Sequence, residues 1–112
     1  MVTGKEYIPN RGDIVWLNCT PQSGHEQKGK RHALILSPQT YNKKSGLALC
    51  CPITSREKGY PFEVVLKGET IKGVILADQI KSLDWQTRQV QFIEHIAEDS
   101  VNMVLEMIKL LL

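Results

Sequence analysis

The sequence LALCCPI at residues 47–53 is the longest apolar run in the chain. It has the length of a β-strand and is far short of the roughly 20 apolar residues that a membrane-spanning helix needs. Cys50 and Cys51 are adjacent, so in a strand their side chains point to opposite faces of the sheet. We therefore expect a strand that is buried on both faces for part of its length.

Shorter runs of the same kind lie on both sides of this strand. Glycine, proline and asparagine residues separate them, which is typical of strands joined by tight turns. The sequence therefore predicts a mainly β fold, built as a small barrel or a strongly bent sheet. The candidate strands are residues 14–17, 33–36, 62–66 and 74–77, with weaker candidates at 82–86 and 89–93.

The spacing of apolar residues changes near the carboxyl end, where it matches one face of an α-helix. Acidic residues stand at the start of this segment and Lys109 at its end, as the helix dipole favours. We expect this face to cover the sheet, and it is wide enough to serve a dimer as well. The face comprises Val101, Val104, Leu105, Ile108, Leu111 and Leu112.

The chain has 112 residues, of which 42% are hydrophobic and 23% charged, as expected for one globular domain over residues 1–112. Its cysteines, Cys19, Cys50 and Cys51, are odd in number and form no C-x-x-C pair, which favours buried thiols in a reducing cytoplasm. The histidines and cysteines also lack zinc-ligand spacing. Residues 1–13 are polar and lack the apolar core of a signal peptide, so nothing directs secretion. We expect a cytoplasmic protein without metal, cofactor or membrane segment.

Positive charge is concentrated in the first half of the chain. Residues 1–60 hold nine Lys or Arg and four Asp or Glu, whereas residues 61–112 hold five and eight. A basic patch of this kind attracts a polyanion, although a solvated surface is the simpler explanation. Residues 20–30 carry no aliphatic side chain and lead directly into Arg31. Loops of this length between strands are often functional.

Ten short motifs, in order and over nearly the whole chain, resemble the MazF/PemK/Kid toxins, and the MazF branch most closely. The resemblance implies an SH3-like antiparallel β barrel, related to the PemK and CcdB folds, with a carboxy-terminal α-helix. It also implies a homodimeric, metal-independent endoribonuclease that cleaves single-stranded RNA, leaving 2′,3′-cyclic phosphate and 5′-hydroxyl ends. The motifs are RGDIVW (11–16), Pro21, GHEQ (24–27), Gly29, Arg31, ALILSP (33–38), YN (41–42), CPIT (51–54), KGYPFEV (58–64) and GVILADQIKS (73–82).

Two of the matched positions correspond to catalytic residues of that family. Arg31 matches the catalytic arginine, whose guanidinium suits a charged, phosphorane-like transition state because it stays protonated and offers a rigid pair of donors. Thr54 matches the threonine of the P-x-T motif, whose hydroxyl can donate a hydrogen bond to the same phosphate. Taken without the resemblance, Arg31 is an exposed residue after a loop and Thr54 is a turn residue.

The resemblance also implies residues that bind RNA. For His25, RNA contact is the preferred role and proton transfer the alternative. Asp78 and Gln79 have groups that read base edges, although an aspartate after a strand also caps turns. The Kid branch has a catalytic arginine where this chain has Leu76, so that assignment does not carry over. The implied RNA-binding residues are His25, Glu26, Gln27, Lys30, Asp78 and Gln79.

The chain departs from the family at His32, where the family usually has proline after the catalytic arginine. Loss of the proline relaxes the backbone restraint on Arg31. The implied partner is a cognate antitoxin of the MazE or PemI type, with an acidic disordered tail that binds the basic surface. The alternative is a weak or inactive relative that binds RNA, or a protein target in the manner of the gyrase poison CcdB.

Overall fold

The structure is a computed structural model that describes residues 6–18 and 30–112, with Lys30 described by its backbone alone. The predictions for His25, Glu26 and Gln27 therefore lie outside the described residues. The described strands are β1 Asp13–Asn18, β2 Lys30–Ile35, β3 Leu47–Thr54, β4 Glu63–Lys67, β5 Lys72–Leu76, β6 Lys81–Asp84 and β7 Gln91–His95. The helices are α1 Gln39–Ser45 and α2 Glu98–Lys109, and a 3₁₀ turn spans Ala77–Gln79.

The strands form one curled antiparallel sheet. Its order is β4, β5, β3, β2, β1 and β7, and β6 pairs with the first half of β3. Strand β3 therefore contacts three neighbours, since its last two residues pair with β5. Within the described residues, the pairing does not close from β7 back to β4. The predicted class, a small barrel-like β fold with a carboxy-terminal helix, is confirmed.

Adjacent residues in the central strands fill two different hydrophobic clusters. Ile14 and Cys51 belong to the cluster that includes the helix α2 residues, whereas Val15 and Cys50 belong to the cluster around Trp85. All four of these strand side chains are fully buried. The strand at residues 47–53 is thus buried on both faces around its two cysteines, as its composition predicts.

Helix α2 covers one of these clusters. Val101, Val104 and Ile108 are buried in it, as the spacing of apolar residues predicts. The prediction was wrong for Leu111 and Leu112, because the helix ends at Lys109 and both leucines are exposed. Spacing alone does not mark the last turn, because exposed residues after a helix end can continue its apolar pattern.

Helix α1 was not predicted, because its sequence QTYNKKS has no apolar stripe. It ends at Gly46, which adopts a left-handed conformation that favours glycine. Its buried residue is Asn42, whose side-chain amide donates to the carbonyl oxygens of Pro9 and Ser37 at 2.8 and 3.0 Å. The backbone carbonyl of Asn42 accepts a bond from the Trp85 indole at 2.9 Å. Polar contacts therefore hold this helix against the sheet.

Candidate functional site

Arg31 and Thr54 lie on neighbouring strands at the same end of the sheet. Arg31 is the second residue of β2 and Thr54 is the last residue of β3. The strands pair antiparallel, with His32 opposite Ile53. Continuing this register by one step sets Arg31 opposite Thr54, and directly opposed side chains share a face of the sheet. Strand pairing thus brings together two residues that are 23 positions apart in the sequence.

Both residues line one open cleft of about 340 Å³. The described residues that line the cleft include two cationic side chains and three hydroxyl groups, and no carboxylate is among them. Such a surface favours an anion, since lysine and arginine supply charge and hydroxyls supply hydrogen bonds. Its lining residues are Arg31, His32, Ile53, Thr54, Ser55, Thr70, Ile71 and Lys72.

The hydroxyl of Thr54 is held by its own backbone turn. Its oxygen accepts a hydrogen bond from the backbone N–H of Arg56 at 3.1 Å. A hydroxyl has one donor hydrogen and two acceptor lone pairs, so this bond leaves the hydrogen available to donate. The turn therefore orients the Thr54 hydroxyl as a donor, which is the role that a phosphate oxygen requires.

The far wall of the cleft is the loop between β4 and β5. The Glu94 carboxylate, on β7, accepts bonds from the backbone N–H groups of Glu69, Thr70 and Ile71, each at 2.9 Å. Desolvation raises the pKa of Glu94, but these three backbone bonds outweigh it and keep the pKa below its ordinary value. Glu94 therefore fixes the loop that carries Thr70 and Ile71 into the cleft.

His32 lies against Trp16 beside Arg31. The two rings are 4.1 Å apart between centroids and tilted by 38°. Within the described residues, the His32 Nε2 atom is buried without a hydrogen-bond partner. Burial lowers the pKa of His32, which favours the neutral ring at neutral pH. The residue that replaces the family proline therefore packs as a neutral aromatic ring, and does not add a second cation next to Arg31.

The remaining predicted RNA-binding residues are not all in this cleft. Lys30 begins β2, next to Arg31. Asp78 and Gln79 are exposed in the 3₁₀ turn at the opposite end of β5 from Lys72, and they do not line the cleft of this protomer. Conversely, no sequence pattern indicated Thr70, Lys72 or Glu94. Strand pairing places Lys72 at the cleft, and the Glu94 contacts cross from β7 to the loop that carries Thr70.

The Arg11-Gly12-Asp13 motif has structural contacts away from the cleft. The Arg11 Nε donates to the Leu36 carbonyl at 2.7 Å. Gly12 has a positive φ of 95°, and a side chain there would meet the His95 ring 2.7 Å away. The buried carboxylate of Asp13 contacts the His95 Nδ1 at 2.8 Å. This motif thus ties the start of β1 to β2 and β7.

The buried thiols of Cys50 and Cys51 are not suited to act as nucleophiles. Desolvation raises the pKa of Cys50 to about 11 and that of Cys51 to about 12, so both stay protonated at neutral pH. In residues 6–18 and 30–112, no group of three or more metal-ligating side chains could hold an ion. Over the same residues, no helix is both long and apolar enough to cross a bilayer.

Known proteins match this chain over most of its length. The profile of the PemK-like, MazF-like toxins of type II toxin–antitoxin systems matches residues 10–112. The endoribonuclease toxin MazF of Escherichia coli K12 is 52% identical over 82 residues, covering 73% of this chain and 74% of that protein. The endoribonuclease PemK of Escherichia coli is 32% identical over 100 residues, covering 85% and 75%.

A solved structure agrees with the sequence matches. A MazE–MazF crystal structure from Deinococcus radiodurans contains a chain 48% identical to this one, with a TM-score of 0.90 and coverage of 95% and 96% of the two chains. Sequence and fold thus lead to the same group, and this chain belongs to the PemK-like, MazF-like toxin family of type II toxin–antitoxin systems.

Proposed function

We propose that this chain, an endoribonuclease toxin by family, cleaves single-stranded RNA in the cleft between Arg31 and Thr54. The observation that carries the proposal is the convergence of these two residues in a cleft whose described lining residues include no carboxylate. The two curated relatives described above are named endoribonucleases, and they are 52% and 32% identical to this chain over the matched residues. The positions of Asp78 and Gln79 outside the cleft make them candidates for contacts with more distant nucleotides.

The proposed reaction uses the RNA's own 2′-hydroxyl as nucleophile. This oxygen gives up its proton and attacks the adjacent phosphorus, and the bond from phosphorus to the 5′-oxygen breaks. The departing 5′-oxygen takes up a proton, so the products carry a 2′,3′-cyclic phosphate and a 5′-hydroxyl. Arg31 stabilises the negative charge that grows on the non-bridging oxygens. Thr54 donates its hydroxyl hydrogen to the same phosphate. DNA lacks the 2′-hydroxyl, so this reaction cannot cut it.

The partners follow from the same family. A MazE–MazF assembly is known for the relative from Deinococcus radiodurans. We infer that this chain forms a homodimer and binds a cognate antitoxin, and that an acidic, partly disordered tail of the antitoxin covers the cleft. The lysines and arginines of residues 1–60 support this inference, since an acidic segment competes with RNA for the same positive charge. A messenger RNA substrate and protonated, buried thiols both fit a cytoplasmic protein.

The decisive experiment is a cleavage assay in excess EDTA. The substrates are a long single-stranded RNA and a DNA of the same sequence, with Arg31→Ala and Arg31→Lys run beside the wild type. We expect discrete RNA fragments with 2′,3′-cyclic phosphate ends, no cleavage of DNA and at least a hundredfold slower cleavage by Arg31→Ala.

The controls separate a loss of catalysis in Arg31→Ala from a loss of folding or assembly. Arg31 is exposed, so Arg31→Ala should retain the melting temperature and the dimer, and it should bind the antitoxin largely as the wild type does, because one of several cationic residues is lost. Undiminished cleavage by Arg31→Ala would remove Arg31 from the mechanism. Intact RNA after incubation with folded wild-type dimer would contradict the nuclease and favour the non-catalytic reading, in which the toxin binds RNA or a protein target.

A further inference from the structure

Lys72 stands at the first position of β5, where the fixed loop meets the cleft. The pairing of β3 with β5 sets Thr54 opposite Val74. Gly73 packs directly on the backbone of Thr54 and Ser55. A Cβ added to this glycine would lie within 3.3 Å of both residues. Lys72 is therefore attached to the backbone that borders Thr54. Its position is set by strand pairing on one side and by the Glu94 contacts on the other.

The charge of Lys72 has no counter-ion in the described part of the chain. The ion pairs there are His95 with Asp13 and Lys109 with Glu106, and neither involves the cleft. Lys72 is exposed. Lys72 lines a cleft with an arginine and hydroxyl groups, and none of the described lining residues is a carboxylate, so Lys72 is placed to bind an anionic ligand.

We propose that Lys72 binds a phosphate of the RNA in the cleft and is a substrate-binding residue of the nuclease. This inference rests on the proposed function and extends it to a position outside the matched motifs. Arg31 and Thr54 act on the scissile phosphate, whereas Lys72 holds a neighbouring phosphate of the same strand. Its contact is electrostatic and independent of base identity, so it affects affinity equally for different RNA sequences.

Lys67 provides a matched control. It is the cross-strand partner of Lys72 on the same hairpin, it is exposed, and it does not line the cleft. Lys67→Ala and Lys72→Ala therefore remove the same charge from the same hairpin. A general effect of net charge appears in both variants, while a direct phosphate contact appears in Lys72→Ala alone. Lys72→Arg keeps the charge and should keep the binding.

Two measurements test the proposal. The first is steady-state cleavage of RNA, in which Lys72→Ala should raise KM by about three- to tenfold and leave kcat within about twofold. The second is binding of a 2′-O-methyl RNA, which lacks the nucleophile, at several salt concentrations. The slope of log affinity against log salt should fall by about 0.7 in Lys72→Ala, the value for one single-strand phosphate contact.

The outcomes separate this inference from the proposed function. Wild-type protein that leaves RNA intact contradicts the nuclease, and binding of the 2′-O-methyl RNA still decides whether Lys72 contacts phosphate. Wild-type protein that cleaves RNA, with Lys72→Ala and Lys67→Ala behaving alike or with an unchanged salt slope, overturns the Lys72 contact. Equal melting temperatures of both variants exclude misfolding as the cause of a loss.

Discussion

Gly73 lies against Thr54 so closely that a Cβ on the glycine would stand 2.3 Å from the Thr54 carbonyl oxygen. Its φ of 145° is also one that side chains with a Cβ rarely adopt. The glycine therefore permits β5 to approach the end of β3, where the hydroxyl of Thr54 is oriented. A motif residue that carries no functional group thus shapes the cleft.

Gly73→Ala should lower both stability and cleavage. A Cβ at this position must push the backbone of Thr54 away, so we expect a loss of about 2–5 kcal/mol in the free energy of unfolding. Gly46→Ala is the matched control, because Gly46 has a φ of 75° and open space around its missing Cβ. It should lose about 1–2 kcal/mol and keep its cleavage rate. Urea unfolding and cleavage assays measure these changes, and equal losses in both variants would contradict the role of the close contact.

Thr54→Val should slow cleavage by about 10- to 100-fold, because it replaces the hydroxyl by a methyl group of the same size. Thr54→Ser keeps the hydroxyl and should retain most of the rate. Thr54 is only partly buried, so both variants should remain folded. Single-turnover cleavage separates this chemical effect from binding. Equal rates for the serine and valine variants would exclude hydrogen-bond donation by Thr54.

Glu94→Gln should loosen the wall of the cleft. An amide group in place of one carboxylate oxygen presents N–H donors to backbone N–H donors, and it loses at least one of the three contacts. Because the pKa of Glu94 is lowered in the folded state, its stabilising effect is present above the ordinary pKa of 4.5 and disappears as pH falls through the folded value. Glu106→Gln on the exposed face of α2 serves as control.

Unfolding at several pH values tests this relationship. The stability difference between wild type and Glu94→Gln should be greatest near neutral pH and should shrink below about pH 4.5. The same variant should raise KM for RNA, since Lys72 follows the loosened loop. A difference in stability that does not change with pH would contradict a role for the ionised carboxylate.

His32 should make stability depend on pH above the range of the carboxylates. Burial lowers its pKa below the ordinary 6.5, so the unfolded chain takes up a proton before the folded chain does. Stability is therefore complete above about pH 6.5 and declines as the pH falls from there toward the folded pKa. His32→Phe keeps a ring against Trp16 and removes the buried, unpaired nitrogen. We expect the variant to be at least as stable at pH 7 and to lose this decline, whereas parallel pH profiles would contradict the assignment.

Patterns of neighbouring residues predicted those strands and helices that are determined by their own local sequence. Alternation and turn residues identified the central strands, including the opposite faces of Cys50 and Cys51, and spacing identified the buried face of α2. Helix α1 escaped prediction because Asn42 anchors it through bonds to Pro9 and Trp85, which are distant in the sequence. The placement of Arg31 and Thr54 at one site came from family resemblance, since residues alone do not give the strand register that joins them.

The lysine at position 72 had no sequence signal for the same reason. Its proposed role depends on strand pairing, on the close approach of Gly73 and on a cleft whose described lining residues include no carboxylate. Each of these depends on segments that are far apart in the chain. Sequence patterns report which side chains are available, whereas the sheet determines which of them face one another.

The hydrogen bonds from the β4–β5 loop to Glu94 affect which substitutions the loop can accept. Glu94 binds main-chain N–H groups, which every residue except proline possesses, so the path of the loop is independent of its side chains. The exposed side chains of Glu69 and Thr70 can therefore change while the loop keeps its course along the cleft, whereas Ile71 packs against the core. A wall of the cleft that is held through its main chain can thus accept a new side chain at two positions without a change in its path.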